Sequence, residues 1–139
     1  MSANSRFTIA VHILTLLALA QESMSSTEIA AAININPVTV RRTIGQLKAA
    51  GLVDTCQGAA GGATLSRAAC SMTLADVYVA VRETGPFALH HEAPSLDCPV
   101  GRTIAGVLTC MYDEAEAAMV EALAHRTIAS VLEEVQARA

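Results

Sequence analysis

The segment ININPVTVRRTIGQLKAAGLVDT, residues 33–55, decides the fold. Asn34 and Asn36 favour a turn, because short amide side chains bond their own backbone and tolerate left-handed conformations. Pro37 suits the first position of a new helix, where its missing N–H costs nothing, with Asn36 as cap. Val40, Ile44 and Leu47 then recur at helical spacing, which predicts a helix over 37–50 that Gly51 ends. Val38, Thr39, Arg41, Arg42, Gln46 and Lys48 fall mostly off the apolar face. Two adjacent guanidiniums near a helix start suit a solvated surface, an ion pair with Glu28, or a polyanion.

Upstream, SMSSTEIAAAI (residues 23–33) carries a helix start. Ser25 or Ser26 can cap, and Glu28 stands three residues after Ser25 as in a capping box, predicting a short helix over 27–32. Two helices joined by a tight turn, the second cationic near its start, form the helix-turn-helix pattern. Downstream, Leu52–Val53 and Thr64–Leu65 read as short strands around DTCQGAAGGA, whose Gly58, Gly61 and Gly62 predict a hairpin with a flexible tip. A helix-turn-helix followed by a glycine-rich hairpin, a wing, is more specific than either part alone.

The rest of the chain reads as helices. Phe7–Ala20 is an apolar first helix with Asn4 or Ser5 as cap. At 14 residues, with Thr8, His12 and Thr15 inside it, it is too short for a membrane span. It lacks a cationic leader, so a cytoplasmic protein with reduced thiols is expected. SMTLADVYVAVRETG (residues 71–85) predicts a helix capped by Ser71 or Thr73, carrying Leu74, Val77, Tyr78 and Val81 and ended by Gly85. After the loop PFALHHEAPSLD (residues 86–97), Cys98 caps a long helix that starts at Pro99. Its Ile104, Leu108, Met111, Ala115, Ala118 and Ala122 step by four and three, a heptad seam that suits self-association, or packing on the protein's own core. His125–Arg126 break the pattern, and Thr127 caps a last helix to about residue 137. The expected fold is mainly α with a small β-hairpin: a winged helix-turn-helix domain over residues 1–84, a sensor loop or linker over 85–97, and a dimerisation helix plus C-terminal helix over 98–139.

The composition agrees. Of 139 residues 53% are hydrophobic, 16% charged and 3% aromatic, which excludes a disordered chain and calls for a core of aliphatic side chains in packed helices. The net charge is −4, but residues 1–67 carry +2 and residues 68–139 carry −6, so an anionic partner would approach only the N-terminal half. No serine–histidine–aspartate arrangement, phosphate-binding glycine loop or paired carboxylates point to an enzyme.

Taken together, STEIAAAININPVTVRRTIGQLKAAGLV, the wing GAAGGATLSR, MTLADVYVAV and a loop leading through CPVG into a long helix resemble the Rrf-two family of winged-helix transcription regulators, the family of the iron–sulfur regulator IscR. The resemblance covers nearly the whole chain. It implies that the second helix of the motif enters a major groove, that the wing reaches a minor groove, and that the long helix makes a symmetric dimer. Carried onto this chain, Thr39, Arg41 and Arg42 would meet bases or phosphates, Arg6 a phosphate, and Gly58, Gly61 and Gly62 would let the wing backbone approach double-stranded DNA. With these, Ser26, Thr27, Pro37, Val38 and Gln57 complete the expected DNA-binding set, on an operator with inverted repeats. The family usually has arginine where Gln57 stands and an aromatic where Ala63 stands, which weakens the minor-groove contact. Cluster-binding members carry three cysteines in the loop, and this one holds only Cys98. A cluster normally takes about four protein ligands, so no iron–sulfur cluster, other cofactor or metal is expected, and the chain resembles a cluster-less branch.

The chemistry left is electrostatic and redox. Arg41 and Arg42 would release counterions from phosphates and read guanine. Cys98, at the positive end of a long helix, is the sensor candidate, since that end favours a thiolate, although Asp97 beside it opposes one. Cys56 and Cys70 read as structural, Cys110 as a buried thiol, His90 and His91 as solvated, and His12 as a core or boundary residue. The leading expectation is a dimeric DNA-binding repressor with a redox or small-ligand input; the alternative is a winged-helix protein–protein module without a DNA role.

Overall fold

The computed structural model describes residues 3–59 and 61–139. The order is α1 (Ala3–Ala20), α2 (Ser26–Ile33), α3 (Pro37–Ala49), β1 (Val53–Cys56), β2 (Gly62–Leu65), a single 3-10 turn (Ala69–Ser71), α4 (Leu74–Val81), α5 (Pro99–Leu123) and α6 (Ile128–Arg138). This is a mainly helical fold with one two-stranded antiparallel hairpin, as the sequence implied.

α1 is apolar on nearly every side, and such a helix is stable only when surrounded. Ile9, Ala10, Ile13, Leu14 and Leu17 are buried, and α2, α3, α4, α6 and β2 all pack on it. It already runs from Ala3, so Ser5 lies inside the helix instead of capping it, and Asn4's side chain lies outside the described residues. His12 is exposed, not a core or boundary residue, because it points away from that packed side.

α2 and α3 close on the core with Ile29, Ala30, Val40, Ile44 and Leu47. α4 adds Val77 and Val81, and α6 adds Ile128, which has no exposed surface. α6 thus packs on α1 and the 3-10 turn and rejoins the head, although sequence reading grouped residues 98–139 as one segment. The N-termini of α4 and α6 are also joined, with Ile128 N–H donating to the Met72 carbonyl at 2.9 Å and Leu74 N–H to that of Arg126 at 2.9 Å. α4 stops at Val81, short of Gly85.

α5 behaves differently. It has 25 residues, about 37 Å of helix at 1.5 Å per residue, and none of them is buried. It touches the head through α4: Arg82 pairs with Glu116 (Nε–Oε1 2.6 Å), and Met119 and Leu123 face Phe7 and Tyr78. Among the described residues no helix is long and apolar enough to cross a membrane.

Candidate nucleic-acid interface

The turn between α2 and α3 is built by local chemistry. Ser25 Oγ accepts from Glu28 N–H at 3.1 Å, and the Glu28 carboxylate accepts from Ser25 N–H at 2.8 Å. Asn34 ends α2 in the left-handed region (φ 62°, ψ 51°), its N–H donating to the Ala30 carbonyl. Asn36 Oδ1 accepts from Val38 N–H at 2.8 Å, and Pro37 is the first helical residue. These caps fix the turn from which α3 projects its first two turns.

The outward side of α3 presents Val38, 62% exposed, together with Arg41, which joins none of the ion pairs among the described residues. Pro37 and Thr39 are half-buried at its edge. Ser26 is half-buried and Thr27 exposed at the start of α2, beside it in the motif. Lys48 is spent on the wing: its Nζ donates to Thr55 Oγ1 at 2.8 Å. Glu28 is occupied by its capping box and pairs with no arginine among the described residues.

Arg42 is exposed on α3 as well, but it is not unpartnered. It pairs with Glu83, just past α4, and the same carboxylate also pairs with Arg6 of α1. Arg6 is thereby drawn inward, its side chain 20% exposed against 55% for Arg42, and its Nε is buried with no hydrogen-bond partner among the described residues. The Arg6 hydrogen bond, reinforced by both positive charges, holds the Glu83 carboxyl below the usual carboxylate range against its own desolvation. One carboxylate therefore serves two guanidiniums, and neither Arg6 nor Arg42 stands as a free cation. Arg82, the preceding residue, is kept charged by Glu116 on α5. Residues 82–83 thus tie α5 to the start of α1 and to α3. Sequence reading missed Glu83, which lies 41 residues from Arg42.

The wing pairs Val53 with Leu65 through Cys56 with Gly62, longer strands than the sequence suggested, so its tip is only residues 57–61. Gln57 and Gly58 are exposed there, and Gly58 needs φ 105°. Gly61 and Gly62 have an internal reason for lacking a side chain: a Cβ on Gly61 would strike the Cys56 carbonyl, and one on Gly62 would lie 2.5 Å from the Met24 carbonyl oxygen. Gly62 is crowded because Met24 bridges the next residue of β2, with Ala63 N–H donating to its carbonyl at 2.8 Å.

Cys98 is the residue before α5, extended and exposed, with no side-chain cap bond. All four cysteines are free and exposed. Cys110 is not buried, because it lies about 120° around the helix from the seam, on a side of α5 that faces nothing. Among the described residues no group of three or more histidines, cysteines, aspartates or glutamates could hold a metal ion.

Ile104 and Leu108 are half-buried, and Met111, Ala115, Ala118 and Ala122 are exposed. This stripe stands about 100° around α5 from Tyr112, Glu116, Met119 and Leu123, the side turned to the head. The heptad seam and the intramolecular contact are therefore two faces of one helix.

Comparison with known proteins agrees with this geometry. The model of the family described as Rrf2, iron-dependent transcriptional regulator, matches residues 3–134. YwnA of Bacillus subtilis (strain 168), an HTH-type transcriptional regulator by name, is 36% identical over 129 residues, 93% of this chain and 96% of its own. A crystal structure described as that of a DNA binding protein is 34% identical with a TM-score of 0.71, covering 91% of this chain and 98% of its own. CymR, the global cysteine regulator of Bacillus subtilis, shares the fold at 20% identity, with a TM-score of 0.67 over 96% of both chains.

Proposed function

This chain belongs to the Rrf2 family of transcriptional regulators, non-enzymatic proteins with a DNA-binding fold, and from that premise we propose that it acts in the cytoplasm as a homodimeric, sequence-specific repressor on an inverted-repeat operator. The observation that carries the reading is α3 itself. A turn satisfied by its own caps projects outward Val38 and Arg41, which has no ion pair among the described residues, beside a wing tip whose Gln57 and Gly58 are exposed. Thr39, Pro37, Ser26 and Thr27 flank that face. Arg42 and Arg6 join it only when phosphate competes with Glu83.

Dimerisation is supported by the open seam of α5. Apolar side chains repeated along a helix that buries none of them lower their free energy by meeting a second copy. A twofold assembly doubles the few cations each head offers, and two heads on one promoter would exclude polymerase, which makes repression the direction we assign. The donor set supports a cluster-less regulator, and Cys98, exposed where the loop meets α5, is the proposed redox input.

Fluorescence anisotropy on the chain's own promoter region, at rising salt, tests the reading. Arg41→Ala should weaken binding by about 1–3 kcal/mol, with a smaller loss for Arg42→Ala, whose charge Glu83 already meets. Unchanged binding in both variants refutes a DNA role. The second reading, a protein–protein module, is favoured by that same neutralisation of Arg6 and Arg42, and capture of a protein that shields α3 from Arg41-directed chemistry would select it.

A further inference from the structure

A cavity of about 340 Å³ lies where α1, α4 and α5 meet. Phe7, Tyr78, Val81, Met119 and Leu123 give it an apolar lining, and Arg6, Arg82 and Glu83 form its polar edge. Phe7 and Tyr78 meet edge to face, ring centroids 5.7 Å apart, so one wall is a fixed aromatic pair. The volume is at the small end of the range for ligand pockets. At that edge Arg82 is paired with Glu116, while Arg6 shares the carboxylate of Glu83 with Arg42, which leaves the edge with a net positive charge. Arg6 also has an Nε–H with no acceptor among the described residues. An apolar chamber that ends at an under-neutralised guanidinium matches one ligand chemistry, an apolar body carrying a carboxylate. A guanidinium donates two parallel hydrogen bonds to a carboxylate.

We infer that this cavity is an effector site for a small aryl or branched-alkyl carboxylic acid, held by Arg6 with its apolar body among Phe7, Tyr78, Met119 and Leu123. The acid takes over Arg6 and leaves Glu83 to Arg42 alone. Arg42 is then more firmly withheld from phosphate, so occupancy weakens DNA binding. Met119 and Leu123 belong to α5 and Arg42 to α3, so the site also touches both the dimer seam's helix and the reading helix. The effect on DNA rests on the proposed function; the binding site does not.

Calorimetric titration of the full chain with naphthoate tests the site, with the ketone acetonaphthone as its uncharged match. Naphthoate should saturate one site per chain and bind at least about tenfold more tightly than the ketone, since a charge-assisted pair is roughly twice as strong as a neutral hydrogen bond. Arg6→Lys keeps the charge and removes the fork, and should erase most of that preference; Leu123→Phe, which fills the chamber, should reduce binding of both. No saturation at millimolar naphthoate, equal affinity for the ketone, or an unchanged preference in Arg6→Lys overturns the site. Anisotropy with operator DNA separates the two ideas. A chain that binds naphthoate but no DNA keeps the site and loses the regulatory reading. One that binds DNA but not naphthoate does the reverse. DNA affinity unmoved by saturating naphthoate overturns the effector role.

Discussion

α1 and α5 are the two long helices of the molecule, and they are used in opposite ways. α1 buries Ile9, Ala10, Ile13, Leu14 and Leu17 and is touched by most other elements, whereas α5, seven residues longer, buries nothing. The reason lies in the distribution of apolar residues. α1 is apolar all round, and only a position inside the fold satisfies it. α5 carries two apolar stripes on a polar helix: one meets α4 and the cavity, and the other is half-buried at Ile104 and Leu108 and exposed from Met111 on. A domain can thus hold one helix as its core and extend another as a surface for assembly, and the difference is measurable.

The largest expected effect is in α1. Leu14→Ala removes a side chain with no exposed surface and should cost about 2–5 kcal/mol in urea unfolding; a loss under about 1 kcal/mol would mean that α1 is not the core. Next is α5. Met111 is 57% exposed, so Met111→Glu should leave the folding of a single chain nearly unchanged while raising the dimer dissociation constant at least tenfold, about 1.4 kcal/mol. Sedimentation equilibrium reads this, and an unaltered mass would remove the seam from the interface. The smallest effect belongs to the joint between the regions. Glu83 is held below its ordinary pKa of 4.5, so its pairing stabilises the fold above that pH and the contribution is lost as pH falls through the lowered value. Glu83→Gln should lower stability modestly at neutral pH, match the parent chain at acid pH, and so flatten the acid limb of the stability curve; an identical acid limb would mean that the carboxylate does not bridge Arg6 and Arg42.

The local parts of the interface were legible in advance. The caps Ser25, Asn36, Thr73 and Thr127 all stand where the sequence suggested, since a cap is chemistry between residues two or three apart; Cys98 holds the cap position of α5 without a cap bond. The hairpin was legible from its glycines, though the crowding that requires Gly62 depends on Met24, far away in sequence. Glu83 carried no such signal. Nothing near it in sequence marks it as the partner of two arginines, and its role exists only because α4 ends beside both α1 and α3.

The amino-acid sequence by itself determined the element types, the turn that projects α3, the hairpin and the spare seam on α5, because periodicity and capping act within a few residues. Only the tertiary structure decided that α6 returns to the head, that Cys110 is exposed, and that Arg6 and Arg42 share one carboxylate. Those outcomes depend on which distant surfaces are buried together, and burial and charge pairing are properties of the assembled chain.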